Sequence, residues 1–218
     1  MQETHARKTA CWQEGNGLSR RERALPVCSF DGARAMRYRL FPARPAPPPT
    51  GTKDMPMKKL NPEHIAAIVS LVNKAPFLHL LSIEVVELGP GLCRARAVID
   101  EKHHNPFGGL HGGVYASLID TVAYWAVYCD LPEGAGMTTL DLTVTNLAPA
   151  KKGVLTVDAR RIKAGRTIGL AEASVTDEKG KLLAHGISKM MILEGVQPVR
   201  QAVEAMGHPP LPPKFLGK

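Results

Sequence analysis

Asp120 is the one charged side chain in the sixteen residues Val114–Cys129, VYASLIDTVAYWAVYC. Its neighbours three and four residues away are Ala116, Ser117, Ala123 and Tyr124, so no cation on the same segment can neutralise it. Burying an unpaired carboxylate costs several kcal/mol. An acid kept in such surroundings marks a functional site, where it can serve as nucleophile or as general base. The bland alternative is an Asp on the solvent side of a partly exposed helix.

The loop before this segment, HHNPFGGLHGG, ends in His111-Gly112-Gly113. Backbone N–H groups lie free at a helix start, and glycine lets a substrate approach them. The Gly112 N–H could therefore polarise a carbonyl oxygen as an oxyanion hole does, although a glycine-rich turn can also serve packing alone. Asn105 in the same loop could orient a water or a carbonyl, or could simply shape the turn. The spacing of His103, His104 and His111 matches no established metal-ligand pattern, and no metal is expected. Gly165-Arg166-Thr167 combines a tight turn, a guanidinium and a hydroxyl, a set able to hold phosphate, with Lys151 and Lys152 as further cations. An arginine at a hairpin turn can equally be only solvated.

These groups need elements to position them. Asn61-Pro62-Glu63 is a helix start, with Ile65, Ile68, Val69 and Val72 at helical spacing and an end expected before Pro76. Strands are expected at Ser82–Leu88 and Leu92–Ile99, joined by Gly89-Pro90-Gly91. Val114–Cys129 has no Pro or Gly and is apolar on most sides, so it reads as a helix buried nearly all round. Four more strands follow, at Thr138–Leu147, Val154–Ile162, Thr167–Thr176 and Lys181–Leu193. A long buried helix must be wrapped, and the six strands are the only material for that. The expected fold is α+β, a curved antiparallel six-stranded sheet around one long central helix, which is a hotdog fold.

Composition narrows the function classes. The net charge of +8 over 218 residues suggests a polyanion partner. Residues 1–56, however, hold 10 basic and 5 acidic side chains, whereas 57–194 hold 15 and 14. The central domain is thus nearly neutral, and no nucleic-acid partner is expected. No apolar stretch is long enough for a membrane span. The four cysteines, Cys11, Cys28, Cys93 and Cys129, match no zinc or CxxC pattern. Cys93 and Cys129 read as small buried apolar residues in a reducing, cytoplasmic setting. Residues 1–56, with FPARPAPPPT at Phe41–Thr50, are expected to be a disordered Arg/Pro-rich extension or to precede a true start at Met55 or Met57. Residues 195–218 are expected to be a loose tail after the domain at 57–194.

The segment His104–Asp120, HNPFGGLHGGVYASLID, resembles the signature of the PaaI-like branch of hotdog-fold acyl-CoA thioesterases. The resemblance continues through LDLTVTNLAPAKKG and KAGRTIGLAEASVTDEKGKLLAHG and spans roughly residues 60–193. It implies hydrolysis of an acyl-CoA thioester without cofactor. Asp120 takes the place of the catalytic carboxylate, and Asn105 that of the residue orienting water or carbonyl. Gly112 takes that of the oxyanion donor, with His111 shaping the loop. Thr139, or Thr138 one residue away, matches a hydroxyl beside the carboxylate, and Gly165, Arg166 and Thr167 match the CoA-contacting segment. It also implies a site shared across a dimer, with two dimers commonly forming a tetramer. Two rival readings are an acyl-CoA hydratase or dehydratase and a non-catalytic acyl-CoA-binding regulator. The first wants a His and carboxylate arranged differently. The second wants a DNA-binding domain that residues 1–56 show no pattern for.

Overall fold

The computed structural model describes residues 59–195 and 198–217. The expectations for residues 1–56 lie outside them. Helix α1, Pro62–Val72, starts as its sequence requires, with the Asn61 side chain accepting from the Glu63 N–H at 3.0 Å. It stops ahead of Pro76, which then opens a further short helix, α2 (Pro76–Leu80), that the sequence reading did not include. Proline blocks a helix interior but fits a first turn, so one residue does both.

Strands β1 (Ile83–Gly89) and β2 (Leu92–Ile99) form a hairpin turned at Pro90-Gly91, where Gly91 has φ +69°. Along β2, Cys93, Ala95, Ala97 and Ile99 are buried while Arg94 and Arg96 face outward. The long helix α3 runs from Gly112 to Tyr128. It is followed by β3 (Ala135–Asn146), β4 (Gly153–Ala164), β5 (Ile168–Thr176) and β6 (Leu182–Glu194). All six strands form one antiparallel sheet in the order β1-β2-β4-β5-β6-β3. The fold is α+β as expected, and β1 and β3 are its edges.

Helix α3 touches every strand, so the sheet curls around it. Two glycines set how closely they pack. A Cβ on Gly169 would lie 2.8 Å from Val127 Cγ1, and one on Gly186 would lie 2.5 Å from the Thr143 carbonyl and 3.1 Å from Ile119 Cγ2. The sheet covers only part of the helix circumference. Leu118, Ile119, Val122, Ala123, Ala126 and Val127 are fully buried. By contrast Ala116, Ser117, Asp120, Thr121, Tyr124 and Trp125 form a half-buried stripe. The expectation of burial all round is therefore corrected. An apolar composition on every side does not reveal that a single curved sheet wraps one side only.

The C-terminal segment also departs from expectation. The seven-residue helix α4 (Val199–Ala205) buries Val203, and beyond it the chain returns to the domain, with Leu211 buried. Leu60 and Phe215 form a β-bridge, and the Asn61 N–H donates to the Lys214 carbonyl at 2.9 Å. Lys214, only 1% exposed, reaches the carbonyls of Tyr128, the last residue of α3, and Leu131 just beyond it. Residues 198–217 are thus a strap anchored to the domain at Val203, Leu211 and Lys214, not a loose tail. Proline-rich sequence has no helix or strand period, yet it can lie along a domain when its backbone finds partners.

Candidate active site

Asp120 lies on the half-buried stripe of α3, two turns into the helix. Its Oδ1 accepts two hydroxyl hydrogen bonds, from Thr139 Oγ1 at 3.0 Å and Ser188 Oγ at 3.2 Å. Thr139 is on edge strand β3 and Ser188 is on β6. A β-bulge in β3 between Thr139 and Asp141 sits beside this contact. It takes up Leu140 as the extra residue, so that both Thr139 and Leu142 turn toward α3. Thr138 is exposed, so of the two candidate hydroxyls it is Thr139 that faces the carboxylate. Asp120 Oδ2 has no donor among the described residues and is not sealed from solvent. An open carboxylate oxygen beside a fixed one is suited to accept a proton from water or to attack a carbonyl.

Ser188 was not foreseen. It is 0% exposed and lies 68 residues from Asp120 in sequence. A single serine within GISKMM carries no spacing signal that links it to a helix. The packing of Ile119 against Gly186 helps bring it there.

The loop His104–His111 is held by its own turns and by the β3–β4 connection. The Leu110 N–H donates to the Ala150 carbonyl at 2.8 Å, and the His111 N–H donates to the His103 carbonyl at 2.9 Å. Asn105 Oδ1 accepts from the N–H groups of Phe107 (2.9 Å) and Gly109 (3.2 Å). The Asn105 side chain therefore shapes the loop within the protomer and makes no contact with Asp120. His111 caps α3, its Nδ1 accepting from the Gly113 N–H at 2.9 Å. The Gly112 N–H has no acceptor among the described residues. Helix rise separates Gly112 from Asp120 by about 12 Å along the axis. The structure thus brings Thr139 to Asp120, but not Asn105, His111 or Gly112.

Gly165, Arg166 and Thr167 form the β4–β5 turn, where the Gly165 N–H donates to the Ile168 carbonyl at 2.9 Å. Arg166 and Thr167 are exposed. Lys151 and Lys152 precede β4 whereas Arg166 follows it. The intervening strand is about 35 Å long, so within one protomer they cannot meet on one ligand. Cys93 and Cys129 are both buried, and burial pushes their thiols upward, that of Cys129 to about 12. No cluster of three potential metal ligands occurs among the described residues. No described helix is long and apolar enough to cross a membrane.

Comparison with known proteins fits this architecture. The sequence profile of the thioesterase superfamily matches residues 107–184. Human acyl-coenzyme A thioesterase 13 is 33% identical over 106 residues, covering 48% of this chain and 75% of the relative. Among solved structures, a thioesterase of Haemophilus influenzae superposes with a TM-score of 0.55 at 27% identity, over 58% of this chain and 89% of that one. Zebrafish thioesterase superfamily member 2 superposes with a TM-score of 0.52 at 29% identity, over 58% and 94%. The chain belongs to the thioesterase superfamily, and its fold is the hotdog fold.

Proposed function

We propose that the protein hydrolyses acyl-CoA thioesters to a free acid and CoA, with Asp120 as the catalytic carboxylate. The observation that carries this is the pair of hydroxyls on Asp120 Oδ1 with Oδ2 left open, in a chain of the thioesterase superfamily. Oδ2 either takes a proton from the attacking water or attacks the carbonyl carbon itself. The thioester C–S bond breaks as the carbonyl re-forms, and the thiolate of CoA leaves and takes up a proton; in the second route the acyl–Asp120 anhydride so formed is then hydrolysed by water, releasing the acid and restoring the Asp120 carboxylate. The acyl-CoA substrate class is supported by the human relative's own designation.

The negative oxygen formed on the carbonyl needs a donor close by. The Gly112 N–H is the available one, and it lies too far from Asp120 in the same protomer to serve the same carbonyl. The reading is therefore a site completed by a second copy, whose Asn105, His111 and Gly112 lie over this Asp120. Two features support self-association as a dimer or a dimer of dimers. Strand β3, which carries Thr139, is an edge with one side unpaired. Phe107, in the loop between Asn105 and Gly112, is 93% exposed. The exposed turn at Gly165, Arg166 and Thr167 is assigned to the CoA phosphates or pantetheine. The direct test is thiol release from acyl-CoA by wild type and Asp120→Asn. Loss of turnover on the order of 100-fold or more in a folded variant supports the assignment, and near-wild-type turnover refutes it.

A further inference from the structure

We infer that Ser188 is a positioning residue for the catalytic carboxylate: with Thr139 it pins Asp120 Oδ1 so that Oδ2 alone faces the reacting carbonyl. This rests on the assignment of Asp120 above. A free carboxylate rotates about its last bond, and its two oxygens are then equivalent. Two donors on one oxygen remove that equivalence. Here the donors come from adjacent antiparallel strands, Thr139 from β3 at 3.0 Å and Ser188 from β6 at 3.2 Å.

Ser188 is the more constrained of the two. Its side chain is fully buried, so its hydroxyl has no access to water. Asp120 Oδ1 is the acceptor its hydrogen bond reaches. Its position is fixed from three sides. It pairs with Leu142 of β3 and Ala171 of β5, and it lies two residues after Gly186, against whose bare Cα Ile119 packs. That packing holds the helix turn bearing Asp120 against β6. Thr139, by contrast, belongs to an edge strand, sits next to the bulge and is only half-buried. Ser188 thus supplies the rigid donor.

A group that orients the reacting oxygen without touching substrate acts on turnover more than on binding. The experiment is steady-state kinetics of thiol release for the full chain as wild type, Ser188→Ala, Ser188→Cys and Asp120→Asn, with thermal melting of each. Ser188→Ala is expected to lower kcat by roughly 10- to 100-fold with KM within about twofold of wild type. Ser188→Cys keeps nearly the same shape but donates weakly, and its kcat is expected to fall alongside that of Ser188→Ala. Wild-type kcat in Ser188→Cys, or a fall in Ser188→Ala no larger than its loss of folded protein, overturns the positioning role. If Asp120→Asn is inactive in that same experiment, the active-site assignment stands without Ser188. If Asp120→Asn retains near-wild-type kcat, the assignment itself fails.

Discussion

Gly112 and Asp120 stand on the same helix, the first at its opening turn and the second about 12 Å further along the axis. One carbonyl group cannot touch both in a single protomer. A shared site has a consequence that a self-contained one does not. Asp120→Asn and Asn105→Ala, each inactive as a homo-oligomer, should complement each other when co-expressed. In a mixed dimer one site loses both groups and the other keeps both. With random pairing, about a quarter of wild-type turnover should return. Turnover of the mixture no greater than that of either variant would refute sharing across the interface.

The proposed role of Arg166 can be tested apart from the chemistry. It lies at the β4–β5 turn, exposed and without an ion pair among the described residues. If it faces phosphates, Arg166→Ala should raise KM for acyl-CoA by about 10-fold, the size expected for one charged hydrogen bond. The same variant should leave acyl-pantetheine thioesters, which lack the nucleotide, unaffected. An equal change for both substrates would show that Arg166 acts elsewhere than on the phosphates. Lys151 and Lys152, at the far end of β4, should contribute to KM only through the second copy.

The reach of sequence reasoning differs between elements for physical reasons. The β1–β2 hairpin was legible because Pro90-Gly91 dictates a turn and β2 alternates apolar and charged from Cys93 to Ala97. Asp120 stood out because a lone charge in an apolar helix is costly to bury. Thr139 emerged from the family pattern and the register resolved it against Thr138. Ser188 was hidden because its partner is distant in sequence and its own neighbours form an ordinary strand. The half-buried stripe with Tyr124 and Trp125 was hidden because apolar side chains facing an open side look like core. The strap was hidden because its anchors are distant in sequence, as where Lys214 meets the Tyr128 carbonyl across 86 residues.

His111 tests the opening of α3. Its Nδ1 accepts from the Gly113 N–H, so His111→Ala removes the helix cap. The expected loss is about 1 kcal/mol of stability, seen as a lower midpoint in urea. His111→Asn can supply a carbonyl oxygen at the same place and should recover most of it. No loss in His111→Ala would mean that water caps the helix equally well.

The strap is expected to make stability depend on alkaline pH. Lys214 Nζ donates to the carbonyls of Tyr128 at 2.5 Å and Leu131 at 2.7 Å, and it lies 3.9 Å above the Tyr128 ring. Burial pushes its pKa down to about 8, while Cys129, Asp130 and Glu133 pull it back up. In the unfolded chain it returns to about 10.5. Between these values the unfolded state holds more protons than the folded state, so the Lys214 contribution to stability rises with pH across that window. The Cys129 thiol, pushed up to about 12, acts in the opposite direction above its ordinary value near 9. A difference measurement therefore isolates the lysine. Lys214→Met leaves two buried carbonyls without their donor and should cost about 1–3 kcal/mol at pH 7. The gap between wild type and Lys214→Met, measured by urea unfolding, should then widen from pH 8 to 10.5. A gap that stays flat over that range would show that Lys214 keeps an ordinary lysine affinity for its proton in the folded chain, and a gap that narrows would show a tighter one.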